Sequence, residues 1–177
     1  MNRGPYWFST EPRPGTLEGK LKLLGDLAGA PSERAVPLLL ELMCDQSWHV
    51  RERAVEALVK RGDQVIEPVK ALLAEGLWYT RACAADALGQ LADVAGLEAL
   101  AVRLSDENPS VRKSVSRALA AIAARHGAKT VKDALERAGV SPDLGRLGRL
   151  GAAELDLARA LIETPPRRDS TRRSGGD

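Results

Sequence analysis

Apolar residues return every three to four positions through most of this chain, and nowhere do they alternate strictly with polar ones over the length of a strand. In the segment 35–58, AVPLLLELMCDQSWHVRERAVEAL, the residues Val36, Leu39, Leu40 and Met43 share one face of a helix. A short polar turn follows, and Val50, Ala54, Ala57 and Leu58 share the face of a second helix. The same two-helix pattern comes back in VIEPVKALLAEGLWYTRACAADAL (65–88) and in AGLEALAVRLSDENPSVRKSVSRAL (95–119). Arg51, Arg81 and Arg112 recur at intervals of 30 and 31, and the acids Asp45, Glu75 and Asp106 keep step with them. So do the pairs Ala57-Leu58, Ala87-Leu88 and Ala118-Leu119. Pro37 and Pro68 suit a first helical turn, or a kink where the helix begins earlier, and Asn108-Pro109 reads as a cap and a first-turn proline. One such pair of helices cannot hide its apolar face. Several stacked pairs can, and small alanines let them approach closely.

The pattern D-x-x-x-x-V-R-x-x-A-x-x-A-L is complete in Asp45, Val50, Arg51, Ala54, Ala57 and Leu58. It resembles HEAT repeats, in particular the short bacterial type also found in phycobilin lyases. The second unit departs from it with Glu75 and Thr80, and the third with Val115 in the alanine column. The resemblance covers about residues 17 to 138 and implies an all-α fold, a right-handed α-solenoid (α-α superhelix) of about four to five stacked helical pairs. Because core residues carry it, it speaks to fold and says little about function. LEGKLKLLGDLAG (17–29) reads as the second helix of an incomplete leading unit, and KTVKDALERAGV (129–140) as the first helix of a fourth. Beyond it, LGRLGRLG (144–151) repeats every three residues, and its glycines predict an irregular crossing before a last amphipathic helix at 152–163. Three stretches result: an N-terminal arm (1–16), a repeat domain (17–163), and a basic tail (164–177) too rich in proline, arginine, serine and glycine to build a core.

Charge narrows the choice of partner. The net charge is +2, and the last fourteen residues hold four arginines against two aspartates. Of the 26 basic and 24 acidic side chains, 22 of each therefore belong to residues 1–163. A balanced folded part has no global field to draw it onto nucleic acid or an anionic membrane. Cys44 and Cys83 lie in apolar helical runs and read as buried small hydrophobes in a reducing compartment. No apolar run reaches the length of a membrane span and no signal-type stretch opens the chain, so a soluble, cytoplasmic protein is expected.

Catalytic chemistry is sparse. No phosphate-binding glycine loop, paired-cysteine motif or His-Glu pair is present, and His49 and His126 are far apart in the array. No enzyme activity, metal or cofactor is expected. Arg51, Arg81 and Arg112, in register with Asp45, Glu75 and Asp106, predict an internal ladder in which each arginine pairs with an acid of its own or an adjoining unit. If the second helices line the concave side, as the resemblance implies, their non-core positions form a groove. Those positions are Arg53, Glu56 and Lys60, then Cys83, Asp86 and Gln90, then Lys113, Ser114 and Arg117. The groove should change from acidic to basic along the stack.

Aromatics cluster in two places. Tyr6, Trp7 and Phe8 lie in the arm, and Trp48, Trp78 and Tyr79 lie at inter-helix turns, with the two tryptophans in the same repeat position. Three readings are open for this edge: a binding hot spot, a surface covered by the arm, or two plugs in the inter-repeat seam. The expected function is a scaffold or adaptor holding a protein or peptide in the groove. The alternative is a binder of nucleic acid or phosphate, using six basic residues between Glu107 and Asp133 (Arg112, Lys113, Arg117, Arg125, Lys129, Lys132) with the tail arginines. Help in attaching a chromophore is a third possibility that rests on the family resemblance alone.

Overall fold

The structure, a computed structural model, describes residues 14–140. The predicted helix at 152–163, the crossing before it, the tail and the aromatic part of the arm lie outside those residues. Eight α-helices make up the described part: α1 (Leu17–Ala28), α2 (Ser32–Leu42), α3 (Trp48–Val59), α4 (Ile66–Glu75), α5 (Trp78–Leu91), α6 (Leu97–Arg103), α7 (Pro109–His126) and α8 (Ala128–Arg137). Helices α2/α3, α4/α5 and α6/α7 are three complete pairs, with α1 as a leading second helix and α8 as a trailing first helix. Helices α1, α3, α5 and α7 pack side by side as one layer, while α4, α6 and α8 pack in the other. The chain is thus an all-α solenoid, and no strand occurs among the described residues.

Repeat positions explain the packing. Leu27, Leu58, Leu88 and Leu119 occupy one column on four parallel helices and are all buried, as are Val50, Thr80 and Val111 one helical face away. Burying a leucine stabilises by roughly 1.5–3 kcal/mol, so these columns tie each unit to the next. The tightest approach joins α5 to α7. A Cβ added at Gly89 would lie 2.7 Å from the Ala118 Cα, so glycine and alanine together set that helix spacing. Pro68 sits in the first turn of α4. Pro37 lies deeper inside α2, where its missing N–H leaves the carbonyl four residues earlier without a helical donor.

The arginine column has a more specific role than the expected ladder. The Arg51 Nη1 donates to the carbonyls of Asp45 and Gln46 at 2.7 and 2.8 Å. In the third unit Arg112 Nη1 does the same for Asp106 and Glu107, at 2.7 and 3.0 Å. Arg81 Nη1 takes the equivalent Gly76 carbonyl at 3.0 Å. Each arginine therefore holds backbone carbonyls of the turn that joins the two helices of its own pair. The aspartates serve the same turns: Asp45 accepts from the Ser47 amide at 2.9 Å and Asp106 from the Asn108 amide at 3.0 Å. Glu75, one methylene longer, is exposed and makes no such bond.

Acid pairing runs between units, and only in part through arginine. Arg81 reaches forward to Asp106 with two 2.8 Å hydrogen bonds. Lys20 lies 31 residues before Arg51 in the same column, and it reaches forward to Asp45 at 2.6 Å. Both rungs span 25 residues. Between them Arg51 forms no ion pair with an acid among the described residues; its guanidinium lies 4.7 Å over the Tyr79 ring. The expected pairings of Arg51 and Arg112 with acids are therefore corrected. Arg51 uses an aromatic face, and Arg112 holds carbonyls alone.

Candidate functional site

The inner layer of second helices leaves an open groove of about 700 Å3 between α3, α5 and α7. Its base is small because the inter-helix contacts demand it: Val55, Gly89 and Ala118 are buried there, and the exposed Ala121 stands beside them. Its walls carry Trp48, Arg51, Glu52 and Glu56 from α3, Cys83, Asp86 and Gln90 from α5, and Arg117 from α7. A second hollow of about 390 Å3 continues it between α1 and α3, lined by Leu21, Leu24, Arg53, Glu56, Lys60 and Arg61 among others. Glu56 belongs to both hollows.

Of the residues expected in the groove, Glu56, Asp86, Gln90 and Arg117 come together in the larger hollow, and Arg53 and Lys60 line the smaller one. Lys113 is exposed but lines neither hollow, and Ser114 is 4% exposed, beneath the surface. The expected gradient from acidic to basic is also corrected. Arg117 is bonded to Asp86 at 2.9 Å, which neutralises the α7 side. The cations instead gather at the α1–α3 end, where Arg53 and Lys60 stand beside Arg61. Arg61 itself is anchored on the Leu27 and Ala30 carbonyls at 2.6 and 2.7 Å.

Three wall residues were not expected there: Glu52, Arg51 and Trp48. Glu52 was legible, because it stands four positions before Glu56 and so shares its helix face. Arg51 and Trp48 had been assigned to the ladder and to the edge, and each is long enough to reach the groove as well.

The carboxylates differ in their electrostatics. Burial raises the Asp86 pKa, and the Arg117 charge and hydrogen bonds from Ser114 and Arg117 only partly offset it. Asp106 also loses solvent by burial, but its Arg81 hydrogen bonds, the Asn108 amide and the charges of Arg81 and Arg103 outweigh that and hold its pKa below the usual range. Burial pushes the Cys83 thiol up, against the nearby Arg51. Cys83 is partly exposed in the groove wall, which corrects its assignment as a buried hydrophobe. A thiol that holds its proton is a poor nucleophile. Among the described residues no group of three or more His, Cys, Asp or Glu side chains is placed to hold a metal ion.

At the edge, Trp48 and Trp78 are 56% and 48% exposed, so they do not plug the seam between units. Trp48 stacks on His49 with ring centroids 4.0 Å apart, and Trp78 meets Tyr79 edge to face at 5.6 Å. No helix among the described residues is long and apolar enough to cross a membrane.

The stacked helical pairs have counterparts among known proteins. The family model for HEAT repeats matches residues 18–77 and 66–154. The chain belongs to the HEAT-repeat family. A curated relative of this HEAT-repeat chain is the phycocyanobilin lyase subunit beta of Thermosynechococcus vestitus, 35% identical over 94 residues. The match covers 52% of this chain and 44% of that protein, so the HEAT-repeat chain spans less than half of its relative's length. HEAT repeats are helical scaffolds suited to protein interaction, and their defining residues lie in the core.

Proposed function

We propose that this HEAT-repeat chain is a non-catalytic adaptor that holds a segment of a partner protein along its inner groove. One observation carries the reading: two hollows that share Glu56 follow one another along the inner layer, and the exposed rim residues Glu52, Glu56 and Gln90 have no partner of their own among the described residues. Its small-residue floor admits a peptide backbone or a slender helix, and the unengaged rim groups supply hydrogen bonds and charge selection. The acids Glu52, Glu56 and Asp86 oppose a polyanion. Four of the six basic residues between Glu107 and Asp133 are engaged internally: Arg112 and Arg125 on carbonyls, Arg117 on Asp86 and Lys129 on Asp133. Among the described residues only Lys113 and Lys132 of the six remain unengaged, too few by themselves for a phosphate-tracking surface without the tail arginines.

The test is affinity retention from cell extract by the wild-type chain and by the double variant Glu52→Lys/Glu56→Lys, repeated across a salt series. Supporting the proposal would be a protein retained by the wild type, lost by the variant, and only modestly sensitive to salt. Retained material that is nuclease-sensitive and falls away steeply with salt would favour the nucleic-acid alternative.

The lyase relative motivates a second reading, in which the groove receives a bilin, with the exposed Arg53 available to an anionic group. Mixing the chain with phycocyanobilin and following the visible absorption separates the two readings. An unchanged bilin spectrum is expected for the adaptor, and a shifted, saturable one for the bilin binder.

A further inference from the structure

Four helices of the inner layer begin at the same repeat position, and what stands there is large and apolar. Leu17 opens α1, Trp48 opens α3, Trp78 opens α5 and Pro109 opens α7. Leu17, Trp48 and Trp78 are each about half exposed, at 49%, 56% and 48%, and Leu77 beside them is 63% exposed. Parallel packing sets these helix starts side by side, so the residues form one apolar stripe along an edge of the solenoid. Soluble proteins rarely leave a patch of this kind uncovered unless something docks on it.

The chain itself arrives at that edge. The 2.6 Å contact of Lys20 with Asp45 fixes the first turn of α1 against the turn that precedes Trp48. The described chain, which opens at Pro14 against Gly19, therefore enters α1 beside the stripe. Tyr6, Trp7 and Phe8 lie only nine to eleven residues ahead of Leu17. That length of extended chain spans roughly 30 Å. Two neighbouring helices lie about 20 Å away at the usual spacing, so both tryptophans are within reach. Three aromatic side chains offer roughly 450–750 Å2 of surface, comparable to the stripe. Charge agrees as well. Residues 1–13 hold Arg3 and Arg13 against Glu11. Along the edge, Glu18 and Glu75 are exposed and have no ion pair among the described residues.

We propose that the N-terminal arm of this chain docks on its own edge, with Tyr6, Trp7 and Phe8 covering the stripe at Trp48 and Trp78. The tether makes the contact intramolecular and gives the arm a high effective concentration over any free partner.

The test uses the full chain and needs no partner. Trp7→Phe leaves Trp48 and Trp78 as the two tryptophans and keeps an aromatic arm. It is compared with the variant carrying Tyr6→Ser, Trp7→Ser and Phe8→Ser, which has the same two tryptophans and a polar arm. The proposal expects the serine variant to emit further to the red and acrylamide to quench it about twofold more, as both rings lose their cover. Equal circular dichroism of the two confirms that the solenoid is unchanged. Identical emission and quenching would overturn the proposal. So would a spectrum of the Trp7→Phe chain that shifts on dilution, which would make a second copy the occupant. Either failure leaves the groove reading untouched, because no groove residue is altered.

Discussion

Replacing Arg81 with alanine should destabilise this protein far more than replacing Lys113, although both are basic residues on inner-layer helices. The Arg81 guanidinium is 12% exposed and grips Asp106, itself 1% exposed, through two 2.8 Å hydrogen bonds. It also holds the Gly76 carbonyl at 3.0 Å. Truncation removes all three bonds and leaves a buried carboxylate with the Asn108 amide and with Arg103 at 3.6 Å. Breaking a fully buried pair costs about 3–5 kcal/mol; the remaining partners and the partial exposure of Arg81 reduce this to roughly 2–4 kcal/mol. For a domain of this size that is a fall of about 8–15 °C in Tm. Lys113 is exposed and unpaired, and its removal should cost a few tenths of a kcal/mol, roughly 1 °C. Thermal and urea melts of the two variants at pH 7 measure this directly. The depressed pKa of Asp106 sets the pH dependence. The stability gained from ionised Asp106 is present above the ordinary carboxylate pKa of about 4 and is lost as pH falls through the lower folded value. The gap between wild type and Arg81→Ala should therefore narrow in acid. Equal midpoints for Arg81→Ala and Lys113→Ala at pH 7 would refute the inter-unit rung.

Gly89→Ala should destabilise by about 1–3 kcal/mol, because its Cβ would drive α5 away from Ala118. Gly25→Ala, with open space around the new Cβ, should gain up to about 1 kcal/mol from helix propensity; chemical denaturation of both checks the pair. Asp86 should titrate above Asp106 when the side-chain carboxyl resonances are followed by NMR, and the reverse order would contradict their environments. Since the folded pKa of Asp86 is raised, its ionisation weakens the fold as pH rises through and above about 4, so Asp86→Asn should be neutral or stabilising at pH 7 despite the 2.9 Å contact with Arg117.

Much of the fold could be read from the chain because a repeat states each rule several times. The spacing of Arg51, Arg81 and Arg112 located three turns, and the alanine-leucine pairs located the seams between units. What the arginines hold was less legible. A guanidinium beside an aspartate in sequence suggests an ion pair, yet the nearer acceptors are the unpaired backbone carbonyls of the turn itself. The groove was half legible. Helical spacing put Glu56, Asp86, Gln90 and Arg117 on the inner face. Whether a cation on that face remains free depends on its neighbour one unit away, as Asp86 is for Arg117, and spacing within one helix does not contain that information. Long side chains caused the remaining errors: Arg51 serves a turn, covers Tyr79 and lines the groove at once.

The central claim is that the inner groove, and not the outer layer, holds a partner protein. Photo-crosslinking tests it most directly, with a benzophenone amino acid placed at Gln90 in the groove or at Val102, which is 60% exposed on the outer helix α6. The account predicts a discrete protein adduct from position 90 that is lost in the Glu52→Lys/Glu56→Lys background, and none from position 102. An adduct from position 102 alone, or one from position 90 that survives the charge reversal, would contradict it.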